Sequence, residues 1–130
     1  SSGAAPIRRY LKEGIRVGLG SDIAGGHVLS LFQVMVGAVQ ASKLRWRLLD
    51  ETQKPLMVEE VFYMGTKGGG AFFGQVGSFE KGYEFDAVIV DDTRLETPRE
   101  LSLKERLERV VYLSDDRDIA GKYAAGRRII

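Results

Sequence analysis

One short apolar stretch constrains this chain more than any other. Residues 15–19, Ile15-Arg16-Val17-Gly18-Leu19, read as a β-strand with two apolar β-branched residues, closed by glycines at Gly18 and Gly20. A short helix is predicted before it over residues 6–13. There Ile7, Tyr10 and Leu11 fall at i, i+3 and i+4, Pro6 suits a first turn, and Gly14 suits the position just past the end. A loop at residues 21–26 follows, then a long apolar helix over about residues 27–48 that turns polar around Lys43, Arg45 and Arg47. This helix–strand–loop–helix order is one rung of an α/β barrel or an open parallel sheet. A lone buried strand leaves its backbone N–H and C=O groups unpaired, so its neighbours are expected from residues outside these 130.

The remainder reads as alternating helix and strand. Val58, Val61 and Phe62 predict a second helix ending near Thr66, and Lys67-Gly68-Gly69-Gly70 is expected to break or kink the chain. After a turn-rich stretch at residues 77–82, the continuous apolar run Ala87-Val88-Ile89-Val90 reads as a buried strand. Ser102 and Glu105 have capping-box spacing. They start a helix with an apolar stripe of Leu103, Leu107, Val110 and Val111 and an expected Glu105–Arg109 ion pair. The stretch Tyr123-Ala124-Ala125-Gly126-Arg127-Arg128-Ile129-Ile130 reads as strand, tight turn and final strand.

Composition removes several functional classes. Nineteen basic against eighteen acidic residues leave a net charge of +1, too balanced to build a field for nucleic acid or an anionic membrane. No run approaches the roughly 18 apolar residues of a membrane span. Without cysteine there is neither a disulfide framework nor a thiolate metal site, which fits a reducing cytoplasm. Ser1-Ser2-Gly3 is open to two readings, a cloning remnant or native sequence entering a helix. With no initiator methionine, the chain is expected to start partway through a longer one.

Few residues offer chemistry. Asp22 lies just past the C-terminal end of the predicted strand, the edge where barrels and parallel sheets build their sites. Its carboxylate can bind a metal or accept a proton, and Gly25 and Gly26 beside it let a substrate approach the backbone. The competing role is a helix cap or an Asx turn, and on spacing alone that role is the stronger. Gly18-x-Gly20 has Ile23 where a dinucleotide fingerprint needs glycine, and no phosphate-loop lysine follows. His27 is the only histidine, whereas a zinc site takes three or four protein ligands. Asp115-Asp116-Arg117-Asp118 reads as a solvated turn with Arg117 paired locally. Phe72, Phe73, Phe79, Tyr83 and Phe85 read as core packing.

Together these segments resemble a known family. Gly18-Leu19-Gly20-Ser21-Asp22-Ile23-Ala24-Gly25-Gly26 followed by Leu29-Ser30-Leu31-Phe32 resembles the segment around the last barrel strand of guanine deaminases, and Tyr63-Met64-Gly65-Thr66-Lys67-Gly68-Gly69 resembles the helix after it. Gly77-Ser78-Phe79-Glu80 with Gly82 and Phe85-Asp86-Ala87-Val88-Ile89-Val90 is similar to a pattern of the wider amidohydrolase superfamily. Tyr112-Leu113-Ser114-Asp115-Asp116-Arg117, Ile119, Tyr123 and Gly126 resemble the guanine deaminase terminus, with Ser114 where glycine is expected.

The resemblance implies an α/β fold: the C-terminal part of a distorted (β/α)8 barrel plus strands of a small β-sandwich built from both chain ends. On that reading residues 1–75 belong to the barrel and 76–92 supply a sandwich strand segment. Residues 93–118 form the C-terminal helix and turn, and 119–130 the terminal hairpin. It implies that Asp22 is both catalytic and a ligand to one zinc ion, taking a proton from the attacking water. Gly25, Gly26 and His27 stand on the pocket rim. The His-x-His pair, two later histidines and a proton-shuttling glutamate lie in family segments upstream of Ser1. The chain alone is therefore expected to bind no zinc and to be inactive. The implied partners are guanine, the missing N-terminal part of the parent and a second copy in a homodimer, with no nucleic acid and no membrane, in the cytoplasm. The alternatives are a related amidohydrolase acting on another aminated or chlorinated heterocycle, and a non-enzymatic α/β interaction module.

Overall fold

The structure is a computed structural model that describes residues 3–130; Ser1 and Ser2 lie outside the described residues. The fold is α/β. Five helices, α1 (Ile7–Lys12), α2 (Leu31–Leu48), α3 (Val58–Gly65), α4 (Lys67–Gly70) and α5 (Leu103–Leu113), accompany three strands, β1 (Ala87–Val90), β2 (Ile119–Ala124) and β3 (Arg127–Arg128), among the described residues.

Helices α2, α3 and α5 pack on one another around Met35, Val39, Val58, Val61, Met64 and Val111, with Leu56 of the α2–α3 connector completing the buried cluster. The expected periodicity places these side chains, since Val58, Val61 and Met64 recur on one face of α3. Arg8 of α1 ties that helix to α3. Its guanidinium donates to both carboxylate oxygens of Glu60 and to the Lys54 and Pro55 carbonyls. At the start of α5, Ser102 Oγ accepts from the Glu105 N–H at 3.3 Å while Glu105 Oε2 accepts from the Ser102 N–H at 2.8 Å, the reciprocal box predicted from the sequence.

The strands form one antiparallel sheet in the order β1-β2-β3. Val88 faces Lys122 and Ile89 faces Gly121, with a register irregularity before Val90 pairs with Ile119. The β2–β3 turn is Ala125-Gly126, both with positive φ (47° and 75°), the two-residue geometry that matches strand twist. Phe79, Phe85 and Tyr123 run as an aromatic row against this sheet, with ring centroids 5.8 and 5.5 Å apart.

Several expectations are corrected. Residues 15–19 are not a strand among the described residues: with no neighbouring strand beside them they form no ladder, the pairing expected only from residues outside these 130. The long helix begins at Leu31, not residue 27, with Ser30 in the extended conformation at its N-cap. The expected break or kink falls at Thr66 (φ -124°, ψ -107°), and Lys67-Gly68-Gly69-Gly70 itself forms a separate helical turn. Glu105 pairs with Arg99, and Arg109 instead donates to the Leu95 carbonyl. β1 is paired on one edge only, so Val88 and Ile89 remain about half exposed instead of buried. The aromatic residues do not form a core either: Phe72, Phe73 and Phe79 stand out from the surface, Phe72 at 87% exposure.

The last two corrections share a cause. The chain exposes 9333 Å², where a folded monomer of its size exposes roughly 6,800 Å². Much of the excess is apolar, including Leu29, Leu48, Leu49, Phe72, Phe73 and Leu103. Exposed apolar side chains in this number are a mark of surface that packs against further protein.

Candidate active site

Asp22 stands at the tip of the link between α1 and α2. The link leaves α1 through Gly14, whose φ of 76° ends the helix, and its Ile15 N–H donates to the Tyr10 carbonyl at 2.9 Å. It next touches the helical layer at Leu19, whose N–H donates to the Met64 carbonyl at 3.2 Å. Val17 and Leu19 pack against the core, Gly20 and Asp22 are exposed, and the Cβ direction of Gly18 points at Gly69 of α4. Exposure still alternates with the period of two of a strand, although its ladder is absent.

Beyond Gly20 the chain folds tightly on itself. Asp22 adopts φ 48°, the left-handed region, which aspartate tolerates better than most side chains. Its carbonyl accepts from the Gly26 N–H. A Cβ at position 25 would lie 2.7 Å from Asp22 Oδ2, and one at position 26 would overlap the Ser21 carbonyl oxygen. Gly26 is thus required by close approach to backbone, and Gly25 lies against the Asp22 carboxylate itself. His27 is exposed just past the turn, and its ring makes no hydrogen bond among the described residues.

Neither structural role foreseen for the Asp22 side chain is filled. It cannot cap α2, whose N-cap is Ser30, eight positions further on. It makes no Asx turn either: its oxygens enter no hydrogen bond or ion pair among the described residues. The contrast is with Asp50, Asp91 and Asp115, each of which accepts the N–H two residues on. No group of three or more His, Cys, Asp or Glu side chains converges to hold a metal among the described residues. A catalytic zinc takes three protein ligands and keeps a position open. Asp22 fits as one hard oxygen ligand of such a set and does not make a site alone.

An open groove of about 560 Å³ lies elsewhere, between α2, α3 and α5, lined by Lys43, Arg99, Glu105, Glu108 and Arg109 among others. Three of its charges are committed locally, Arg99 to Glu105 and Arg109 to the Leu95 carbonyl, and no residue of the Asp22 loop lines it. The acidic turn 115–118 is likewise structural. Arg117 pairs with Asp115 as expected, but Asp118 is 2% exposed and held by Arg94 Nε at 2.7 Å, so the turn is anchored inward and not solvated throughout. Arg117 and Arg94 hold the Asp115 carboxyl below the usual range, and Arg94 does the same for Asp118.

A model of the amidohydrolase family matches residues 1–129. The chain belongs to the amidohydrolase family. Among solved amidohydrolases, the guanine deaminase of C. acetobutylicum with guanine bound in its active site is 50% identical, with a TM-score of 0.92 over 99% of this chain and 30% of that one. The E. coli guanine deaminase is 27% identical, with a TM-score of 0.81 over 95% of this chain and 29% of its own. The guanine deaminase of Dictyostelium discoideum is 34% identical over 136 residues, which are 99% of this chain and 30% of the relative. The chain spans about 30% of the length of the relatives it matches. Sequence reasoning passed over the backbone contact at Met64 and Gly69. Its only trace in the sequence is the glycine run, whose pattern predicts a break or kink and not a contact.

Proposed function

We propose that this chain is the C-terminal part of a zinc-dependent guanine deaminase that converts guanine and water to xanthine and ammonia in purine catabolism. The observation that carries the reading is Asp22 itself: an exposed carboxylate without a side-chain partner among the described residues, in a left-handed backbone conformation, with Gly25 packed against it. Unusual backbone conformations in non-glycine residues gather at functional sites. The 50% identity to a guanine deaminase with guanine in its active site supports the choice of substrate.

On this reading Asp22 is both a zinc ligand and the group that takes a proton from the attacking water. The water oxygen bonds to the amino-bearing carbon, the C–N bond breaks, and the nitrogen leaves as ammonia with one of the water's protons, the other ending on the neighbouring ring nitrogen of xanthine. A metal held there supplies acidity, lowering the pKa of water towards neutrality. Gly25, Gly26 and His27 form the rim of the pocket. The apolar surface left open on the helices and on β1 is covered by the rest of the protein, residues 1–75 completing a (β/α)8 barrel and the strands of 76–92 and 119–130 a β-sandwich. The family resemblance extends the proposal to a cytoplasmic homodimer.

The test is ammonia release by the whole natural protein, zinc supplied, from guanine, adenine and cytosine side by side. Release from guanine alone is expected. Release from adenine or cytosine and not guanine moves the reading to a related amidohydrolase, and release from none contradicts the deaminase assignment.

A further inference from the structure

The loop carrying Asp22 meets the helical layer at one crowded point. The Leu19 N–H donates to the Met64 carbonyl at 3.2 Å, and there the backbones of Gly18 and Gly69 come together. A Cβ at position 18 would lie 3.0 Å from the Gly69 Cα. A Cβ at position 69 would lie 2.8 Å from that same Met64 oxygen and 3.6 Å from the Gly18 Cα. Gly69 sits in helical turn α4 without positive φ, so alanine there is permitted by the backbone and opposed by the contact alone. Met64 is anchored, with its side chain buried in the core. Residues 15–21 are largely exposed and held to the helical layer by few bonds, so they are what must give way.

We infer that Gly69 is a positioning residue for the Asp22 carboxylate: its missing side chain keeps the Met64 carbonyl open to Leu19 and lets Gly18 close onto α4, fixing the segment three residues before Asp22. The inference rests on the reading of Asp22 as a zinc-binding catalytic group. Adding a methyl group at Gly69 displaces Leu19 and, with it, the loop tip. Displacements of about 1 Å at reacting groups cost on the order of 100-fold in rate.

The experiment uses the whole protein loaded with zinc and challenged with a competing chelator, with kcat on guanine measured in parallel. Gly69→Ala is expected to hold zinc about 10- to 100-fold less tightly, the range seen when support behind a metal ligand is lost. Gly18→Ala, which meets the same contact from the other side at 3.0 Å, shifts both readouts in the same direction by less. It carries the test if Gly69→Ala does not fold. Gly37→Ala, in α2 with nothing within 4 Å of the added atom, leaves zinc retention and kcat unchanged. Zinc retention and kcat equal to those of the unaltered protein in both Gly69→Ala and Gly18→Ala overturn the inference while leaving the deaminase reading intact. Unchanged zinc retention in Asp22→Ala overturns the underlying reading and the inference with it.

Discussion

Residues 15–30 and residues 91–118 both consist largely of polar or glycine-bearing links between apolar elements, yet they treat their carboxylates in opposite ways. In 91–118 the acidic groups are mostly committed. Asp92 takes both Arg106 nitrogens at 2.8 and 2.9 Å, Asp118 takes Arg94 and the Asp115 N–H, and Glu105 takes Arg99 and the Ser102 cap. In 15–30 the one carboxylate, Asp22, is committed to nothing among the described residues, and its loop is held by backbone bonds and glycine contacts. Saturated carboxylates stabilise local structure. A carboxylate left unsaturated beside glycines is free to bind a metal or move a proton. Glu96, Glu100, Glu108 and Asp116 also lack side-chain partners among the described residues, so what separates Asp22 is an uncommitted carboxylate on a left-handed backbone, packed beside a glycine after a strand-like run.

The contrast can be broken from the structural side. Met64→Ala removes a buried side chain beneath the carbonyl that anchors Leu19, so it is expected to cost about 2–5 kcal/mol in the whole protein. It should also weaken zinc retention, because it loosens the anchor of the Asp22 loop; urea denaturation and chelator competition read the two effects. A stability loss with unchanged zinc retention would separate the core from the loop and weaken the account.

A smaller effect sharpens the other arm. Ser102→Ala removes the cap of α5 and is expected to cost about 1 kcal/mol at neutral pH. Zinc retention and kcat should not change, because the bonds of Ser102 are local to the start of α5 and none reaches the Asp22 loop. The pH dependence has a definite sign. Arg99 and the Ser102 groups hold the Glu105 carboxyl down to about 2 from its ordinary 4.5. The stabilisation this represents is therefore complete above about 4.5 and is lost as pH falls towards 2. The stability gap between Ser102→Ala and the unaltered protein should narrow over that window in pH-dependent unfolding. A gap that widens there contradicts the capping network as described.

How far the sequence alone could be read follows the same division. The α5 cap, the positive-φ Ala125-Gly126 turn and the α3 face of Val58 and Val61 obey rules that span only a few residues, and all were legible. The Glu105–Arg109 pair was not, because Arg99, six residues before Glu105 and outside the helix, competes for the same carboxylate. The start of α2 was placed too early because Val28 and Leu29 continue the apolar pattern; the structure leaves Leu29 outside the helix and exposed. Asp22 was singled out by its place after a strand-like run and by the family resemblance. Its release from capping depends on the register of α2, which spacing does not reveal. The Leu19–Met64–Gly69 contact joins positions 45 or more residues apart through backbone atoms, and local pattern carries no record of such pairs.

The most direct test is ammonia release from guanine by the whole protein and by its Asp22→Ala variant, with folding of both verified by circular dichroism. The account predicts a fall of about 100-fold or more in kcat for a variant that remains folded, the scale of losing a proton-transfer group. A folded Asp22→Ala protein that releases ammonia at the unaltered rate contradicts it, and Asp22 would then be no more than a turn residue in an exposed loop.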